Sequence, residues 1–321
     1  MQASRYQETI YNWVKTGKGN CIVPSTAGSG KSVTALESMR YMSGEIASFA
    51  FNKKIAAHLQ GKILKMGINA KAATFHSEGL ANYVKAKGNI KLNNSKVYFL
   101  AQDFCGTPEL RSATSFIQKL VGFAKDNAFG VKGQTAIADT QAWMDLIIHH
   151  DMTLLGDASF NDVIEIAKQV LILNNQETKV LDYSDMLYFP LLFDVKFKTY
   201  DWIIVDEAQD TNVCRKLIMD KMRKPPVNEG EESPTRMLIV GDKNQAIYSF
   251  AGCEADSMDL LKEKFNCIEL PLSICYRCGK SIIREAQKYV PEIEAWENSP
   301  EGSVTTIPYN DFVSSLPTLG L

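Results

Sequence analysis

The sequence predicts an α/β protein built on a parallel sheet and interrupted by an all-helical insertion. Three observations carry that expectation. Short apolar runs alternate with helical patterns at the start of the chain. A long middle stretch, residues 88–178, repeats helical periodicity without convincing strands. Apolar strand-like runs return after it.

Element by element, Tyr6, Ile10 and Trp13 fall on one face of a first helix. Residues 21–23 read as a strand, and residues 31–41 as a helix. Residues 46–51 read as a second strand, with Ile55, Leu59, Ile63 and Met66 at helical spacing behind it. Strand–helix–strand–helix order implies parallel strands joined by crossover helices. Inside the middle stretch, helices are expected over residues 109–124, 141–150 and 161–173. Strands return at residues 202–205, 237–240 and 268–270. The polar, Pro-punctuated run 224–234 is expected as a surface loop. Ile282, Ile283, Ala286 and Val290 mark one more helix, and residues 304–307 a last strand.

Composition narrows the function classes. The chain has 321 residues, which at roughly 150 per domain suggests two domains. Basic residues number 35 and acidic ones 37, a net charge of −2. A strong global positive field therefore cannot hold this chain on nucleic acid, although a local basic groove is compatible. Apolar residues make up 45% and charged residues 22%, which excludes disorder. No apolar run approaches the ~18 residues of a membrane span. The first eight residues show no basic-then-apolar secretory signal. The expectation is a cytoplasmic protein with no membrane partner. The seven cysteines stand at 21, 105, 214, 253, 267, 275 and 278, an odd number without dense spacing, and are expected as reduced thiols. Cys275-Tyr276-Arg277-Cys278 is a CxxC. The four histidines (58, 76, 149, 150) offer it no second pair of zinc ligands, so two incidental thiols are expected there.

Three stretches carry chemistry. Ser25-Thr26-Ala27-Gly28-Ser29-Gly30-Lys31-Ser32 lies between an expected strand and an expected helix. Glycines there let backbone N–H groups wrap a phosphate, and the helix N-terminus adds its positive dipole end. Lys31 is placed to reach the β- and γ-phosphates of ATP, and the Ser32 hydroxyl to bind Mg²⁺. Trp202-Ile203-Ile204-Val205 is a buried strand ending in Asp206 and Glu207. Ligands of open parallel sheets sit at such carboxyl ends. Asp206 is expected in the Mg²⁺ shell, and Glu207 as the group that orients and deprotonates the attacking water. Residues 238–250 form a third strand running into a polar turn. Gln245 is placed to sense a γ-phosphate. Tyr248 and Phe250 are aromatics beyond the strand end, where nucleobases can stack; packing under the sheet is the alternative.

In this order the motifs resemble the UvrD/Rep-type superfamily 1 DNA helicases, over roughly residues 5 to 290. Asp206-Glu207-Ala208-Gln209-Asp210 resembles their Walker B motif, and residues 241–250 their motif coupling ATP to DNA. Ala50-Phe51-Asn52-Lys53-Lys54 and Thr74-Phe75-His76-Ser77 resemble the two DNA-contacting motifs between. Asp182-Tyr183-Ser184-Asp185-Met186-Leu187 resembles the acidic-aromatic stretch after the helical insertion, and Tyr276-Arg277 the start of the second RecA-like domain.

The resemblance implies roles. Gln7 reads the adenine edge and Tyr276 stacks on its face. Arg277 acts as an arginine finger on the γ-phosphate. Phe51, Asn52, Thr74, His76, Tyr248 and Phe250 line the path of single-stranded DNA or of a duplex junction; a capping histidine is the bland alternative for His76. It implies a first RecA-like ATP-binding domain from 1–87 and 179–270, a helical subdomain over 88–178, and an incomplete second RecA-like domain over 271–321. Two departures stand out. Many family members carry Arg where Val33 stands, and the later Thr/His/Lys/Gly and final arginine motifs do not follow Arg277. A missing C-terminal half is therefore expected as a partner, and the chain alone is expected to hydrolyse ATP slowly. Two rival readings stay open: a P-loop NTPase that never touches nucleic acid, and a non-catalytic ATP- or DNA-binding remnant.

Overall fold

The computed structural model describes residues 3–228, 230–245 and 257–308. In chain order the elements begin with α1 (Arg5–Thr16), β1 (Asn20–Pro24), α2 (Lys31–Ser38), β2 (Ile46–Phe49), α3 (Lys53–Lys65), β3 (Ala70–Ala73) and α4 (Phe75–Lys87). There follow β4 (Lys91–Leu92), α5 (Lys96–Phe104), α6 (Pro108–Arg111), α7 (Thr114–Asp126), α8 (Thr140–His149), α9 (Phe160–Gln176), β5 (Val180–Leu181) and α10 (Asp185–Leu192). The last group is β6 (Trp202–Val205), α11 (Val213–Lys221), β7 (Arg236–Gly241), α12 (Ser257–Lys264), β8 (Cys267–Glu269), β9 (Ile274–Cys275), α13 (Lys280–Ala286) and β10 (Glu294–Ala295).

Among the described residues, six strands form one sheet in the order β3-β2-β6-β7-β1-β8, and every pairing is parallel. With both faces covered, the inner strands β6 and β7 carry the unbroken apolar runs Trp202–Val205 and Met237–Val240. Val23, Ile204 and Val240 face a core shared with Ile10 and Trp13 of α1 and Leu36 of α2. Ile22, Val205 and Ile239 face the opposite core, shared with Tyr83 of α4, Leu187 of α10 and Ile218 of α11. This is a doubly wound α/β fold. Neighbours β6, β7 and β1 are in register, with Val205 beside Ile239 and Pro24 beside Gly241. Their carboxyl ends therefore open at one place on the sheet edge.

Between β4 and β5 the described chain is helical. The expected helix over 109–124 is split into α6 and α7 at Ser112 and Ala113; there Thr114 Oγ1 donates back to Arg111 O at 3.1 Å, and Ser112 Oγ donates to Leu155 O at 3.1 Å. The two-residue strands β4 and β5 pair with each other at the base of the insertion, where no strand was expected. A buried charge network ties the insertion down. Lys125 of α7 donates to Asp182 and, at 3.0 Å, to Asp185 Oδ1; Lys96 of α5 reaches Asp185 Oδ2 at 3.4 Å.

The expected strand over 304–307 is not formed. Val304 and Ile307 lie exposed, and no strand among the described residues pairs with them. β10 forms instead and pairs in parallel with β9. Arg5 of α1 reaches Glu294 of β10 at 2.8 Å. Among the described residues no helix is long and apolar enough to cross a membrane.

Candidate functional site

β1 ends by turning into a loop anchored on both sides. Ser25 N and Oγ donate to Gly241 O at 2.9 and 2.6 Å, and Thr26 Oγ1 donates to Ser273 O at 3.1 Å. The side chains of Ser25 and Thr26 are thus spent on holding the loop to β7 and to residue 273. Gly28 and Gly30 take φ of 73° and 83°, the left-handed region that favours glycine. Gly28 also has no room for a side chain: a Cβ there would stand 2.9 Å from both Arg277 Cβ and Cys275 Sγ. α2 then starts at Lys31, so its free N–H groups and dipole end face the loop.

The strand end of β6 supplies the acids. Ser32 Oγ donates to Asp206 Oδ2 at 2.6 Å, and Lys31 Nζ meets Glu207 Oε2 at 3.0 Å. Burial raises the Asp206 carboxyl above its ordinary pKa, and the Ser32 hydrogen bond works against that rise. Glu207 sits at φ 54°, ψ 48°, a left-handed conformation that costs a non-glycine residue roughly 1–2 kcal/mol. Strain of that kind is held by surrounding structure: Glu207 N donates to Asp206 Oδ1 at 3.0 Å.

A cavity of about 270 Å³ lies between these groups, lined by Gly28 to Val33, Glu207, Gln245 and Arg277. Ser29 Oγ is buried beside it and has no hydrogen-bond partner among the described residues. A buried hydroxyl on a cavity wall can donate to or accept from a ligand atom or a water. Arg277 is exposed and has no carboxylate partner among the described residues. Gln245 Nε2 donates to Asp242 Oδ2 at 2.8 Å. Gln7 and Tyr276 stand outside the lining. Gln7 closes the cap of α1, with Ser4 N donating to its Oε1 at 3.0 Å, while its Nε2 donates to Thr34 Oγ1 of α2 at 3.0 Å. Tyr276 N donates to Gly28 O at 2.9 Å, and its ring lies 5.9 Å from that of Trp296. Ala27 does not line the cavity. Among the described residues no three His, Cys, Asp or Glu side chains gather as a metal cage. Ser32 and Asp206 are oxygen donors that could stand in the shell of a divalent ion completed by phosphate or water.

Sequence reasoning gave Gln209 no separate role. Its Nε2 donates to Glu207 Oε2 at 2.9 Å, and its Oε1 accepts from Asp242 N at 3.0 Å. One amide thereby links the end of β6 to the end of β7. The available signal was its place inside the acidic motif, two residues after Glu207.

The aromatic side of the site is adjacent. Phe51, Phe75, His76 and Arg215 surround a small recess with Asp206 and Glu207. Phe49 and Phe75 stack at 4.6 Å and fix the two segments that follow β2 and β3. Asn52 and Thr74 are N-caps: Asn52 Oδ1 accepts from Ile55 N at 2.9 Å, and Thr74 Oγ1 from Ser77 N at 3.1 Å. His76 is buried and stacks on exposed Tyr183 at 3.9 Å. Burial, then Arg215, pushes its pKa down to about 3, so it is neutral at ordinary pH. The capping residue there is Thr74, not His76. Tyr248, Phe250 and Cys253 lie outside the described residues.

A parallel sheet whose first strand runs through a glycine-rich loop into a helix, with two acids at the end of a neighbouring strand, defines a RecA-like P-loop domain. The chain belongs to the UvrD/REP helicase N-terminal domain family, whose model matches residues 7–266. It is 26% identical to the "Probable DNA helicase II homolog" of Mycoplasma pneumoniae, over 90% of this chain and 42% of that protein. It is 24% identical to the "ATP-dependent DNA helicase Rep" of Buchnera aphidicola, over 85% of this chain and 41% of the relative. With the "ATP-dependent DNA helicase UvrD1" of Mycobacterium leprae it shares 20%, over 84% and 37%. The chain spans about four-tenths of the length of the curated relatives it matches.

Proposed function

We propose that this chain carries the ATP-binding part of an ATP-dependent DNA helicase or translocase. The observation that carries the reading is the convergence, at the carboxyl ends of β1, β6 and β7, of Lys31 on Glu207 and of Ser32 on Asp206. The Ser29 hydroxyl and Arg277, both without a protein partner among the described residues, and the two left-handed glycines fit a polyphosphate. The cavity lies just under the ~300–1,000 Å³ usual for a ligand pocket. It therefore suits the phosphates, and leaves the base to project toward Gln7 and Tyr276. The relatives' names, all of DNA helicases, support the choice of ATP and DNA.

In this reading the backbone of residues 28–32 and Ser29 hold the phosphates. Lys31 exchanges Glu207 for phosphate oxygens when nucleotide enters, which frees the Glu207 carboxylate to accept a proton from water. Ser32 and Asp206 would hold Mg²⁺, and the ion would supply charge neutralisation to the transferred phosphoryl group. Gln245 and Arg277 face that group from the far side. Gln209 passes the position of Glu207 to Asp242. Phe51, His76 and Tyr183 offer an aromatic surface next to the acids for single-stranded DNA, with Tyr248 and Phe250 assigned the same role by resemblance. Neutral His76 serves there by stacking and not by charge. Asn52 and Thr74 shape that surface as caps.

Element order supports the division into an ATP-binding domain (1–87 and 179–270), a helical subdomain (88–178) and the start of a second RecA-like domain (271–321). The test is ATP hydrolysis with and without single-stranded DNA. The reading expects Mg²⁺-dependent hydrolysis that DNA accelerates and that Phe51→Ala makes less responsive to DNA. Hydrolysis indifferent to every nucleic acid would favour an NTPase of another kind.

A further inference from the structure

We propose that Cys275 and Cys278 form a disulfide when a low-molecular-weight disulfide oxidises them, and that closing it re-aims Tyr276 and Arg277 at the phosphate loop. The pair lies outside residues 7–266, the part that the family's model matches. Its consequence for nucleotide rests on the function proposed above.

Geometry carries the inference. The two thiols are near neighbours, and burial and then Cys275 raise the Cys278 pKa. They share one small apolar cluster with Ile283 and Ile293. Cys275 ends β9 and is fixed there: it pairs with Ala295, and its carbonyl accepts from Trp296 N at 3.2 Å. Cys278 follows three residues later, across a bend and just before α13, and is partly exposed. The residues between them are Tyr276, whose backbone N–H is bonded to the phosphate loop at Gly28, and Arg277, which lines the cavity. Cys275 Sγ bears directly on Gly28, where an added Cβ would approach it to 2.9 Å, and Tyr276 N is bonded to Gly28 O at 2.9 Å. An S–S bond is ~2.05 Å long, shorter than any contact between two free thiols. With Cys275 held by its sheet, the bend bearing Tyr276, Arg277 and Cys278 must take up the movement. The other cysteines of the described residues, Cys21, Cys105, Cys214 and Cys267, are each buried in the main cores.

The chemistry is thiol–disulfide exchange. Cys278, the more accessible thiol, attacks the small disulfide RSSR as its thiolate; one sulfur bonds to Cys278 and RS⁻ leaves, taking up a proton as RSH. Cys275 gives up its proton, attacks Cys278 Sγ and displaces the second RSH. The protein loses two hydrogens and two electrons, and RSSR becomes two RSH. Burial and the neighbouring Cys275 raise the Cys278 pKa, so exchange should quicken as pH rises.

The experiment incubates the purified chain with oxidised glutathione at mildly alkaline pH. It then reads the mass of the peptide bearing both cysteines, and titrates a fluorescent ATP analogue with Mg²⁺. The expected peptide is lighter by the two hydrogens lost and carries no glutathione. Nucleotide affinity should change several-fold and return with dithiothreitol. Cys278→Ser should bind nucleotide like the reduced protein and ignore the oxidant. The proposal is overturned if both thiols remain alkylatable where glutathione oxidises dithiothreitol, or if the disulfide forms and affinity does not move. Failure of the reduced chain to bind nucleotide counts instead against the proposed function, and the peptide mass then decides the cysteine pair alone.

Discussion

Lys31 meets Glu207 at 3.0 Å on the wall of an open cavity, whereas Lys125 meets Asp185 at the same 3.0 Å with neither side chain exposed. The two pairs look alike on paper. Around Lys31, among the described residues, the polar groups outnumber their partners: Ser29 Oγ has none, and Arg277 faces the cavity without a carboxylate. Around Lys125 the charges balance, with Lys96 and Lys125 against Asp182 and Asp185. Asp185 also accepts from Asn174 Nδ2 at 3.0 Å. Burial alone would raise the Asp185 pKa, but Lys125 and Lys96 outweigh it and hold the carboxyl below its ordinary range. A sealed, balanced cluster fixes where the helical insertion sits. An open, unbalanced one is poised to exchange protein partners for a ligand.

That contrast can be broken by substitution. Lys125→Met should cost about 3–5 kcal/mol of stability, because it leaves buried carboxylates without their cation; urea denaturation reads it. A loss under 1 kcal/mol would show that the network carries no weight. Glu207→Gln should leave the melting temperature and Mg²⁺-ATP affinity near wild type while slowing hydrolysis by about 10²–10⁴, the usual share of a general base. Wild-type turnover by that variant would remove Glu207 from the base position.

A smaller effect is expected at the aromatic face. His76 has its folded pKa lowered to about 3 from an ordinary 6.5. Between those values the unfolded chain binds the extra proton and the folded one does not, so stability should fall as pH drops from about 6.5 toward 3. His76→Gln should flatten that part of the stability curve. Asp126 and Asp210, raised by burial to about 7 and 6, act in the opposite direction. The quantity to compare is therefore the difference between wild type and variant across the acid range, and identical curves would contradict the buried, neutral assignment.

The same contrast explains what the sequence reveals. β1, β6 and β7 are legible because strands buried on both faces read as apolar runs, and β2 stays legible although Ser48 interrupts its run. β3, Ala-Lys-Ala-Ala at a sheet edge, has no such run and stays hidden. Lys31, Ser32, Asp206 and Glu207 are legible because phosphate chemistry needs those types at those strand ends. Lys125 is not, since a lysine in an amphipathic helix reads as solvent-facing until three other segments are folded around it. Asn52 and Thr74 show a further limit: a short polar residue before a helix is a cap as readily as a ligand contact. The CxxC reads as incidental in sequence because its neighbour, Gly28, is far away along the chain.

The central claim is that the cavity at the ends of β1, β6 and β7 binds nucleotide phosphates through Lys31. Its most direct test is equilibrium titration of a fluorescent ATP analogue with Mg²⁺ against the wild-type chain and Lys31→Ala, with melting temperatures measured alongside. Saturable binding that weakens about tenfold or more in the variant, equivalent to at least ~1.4 kcal/mol, with the melting temperature little changed, is the expected result. Equal affinity in both proteins, at equal stability, would contradict it.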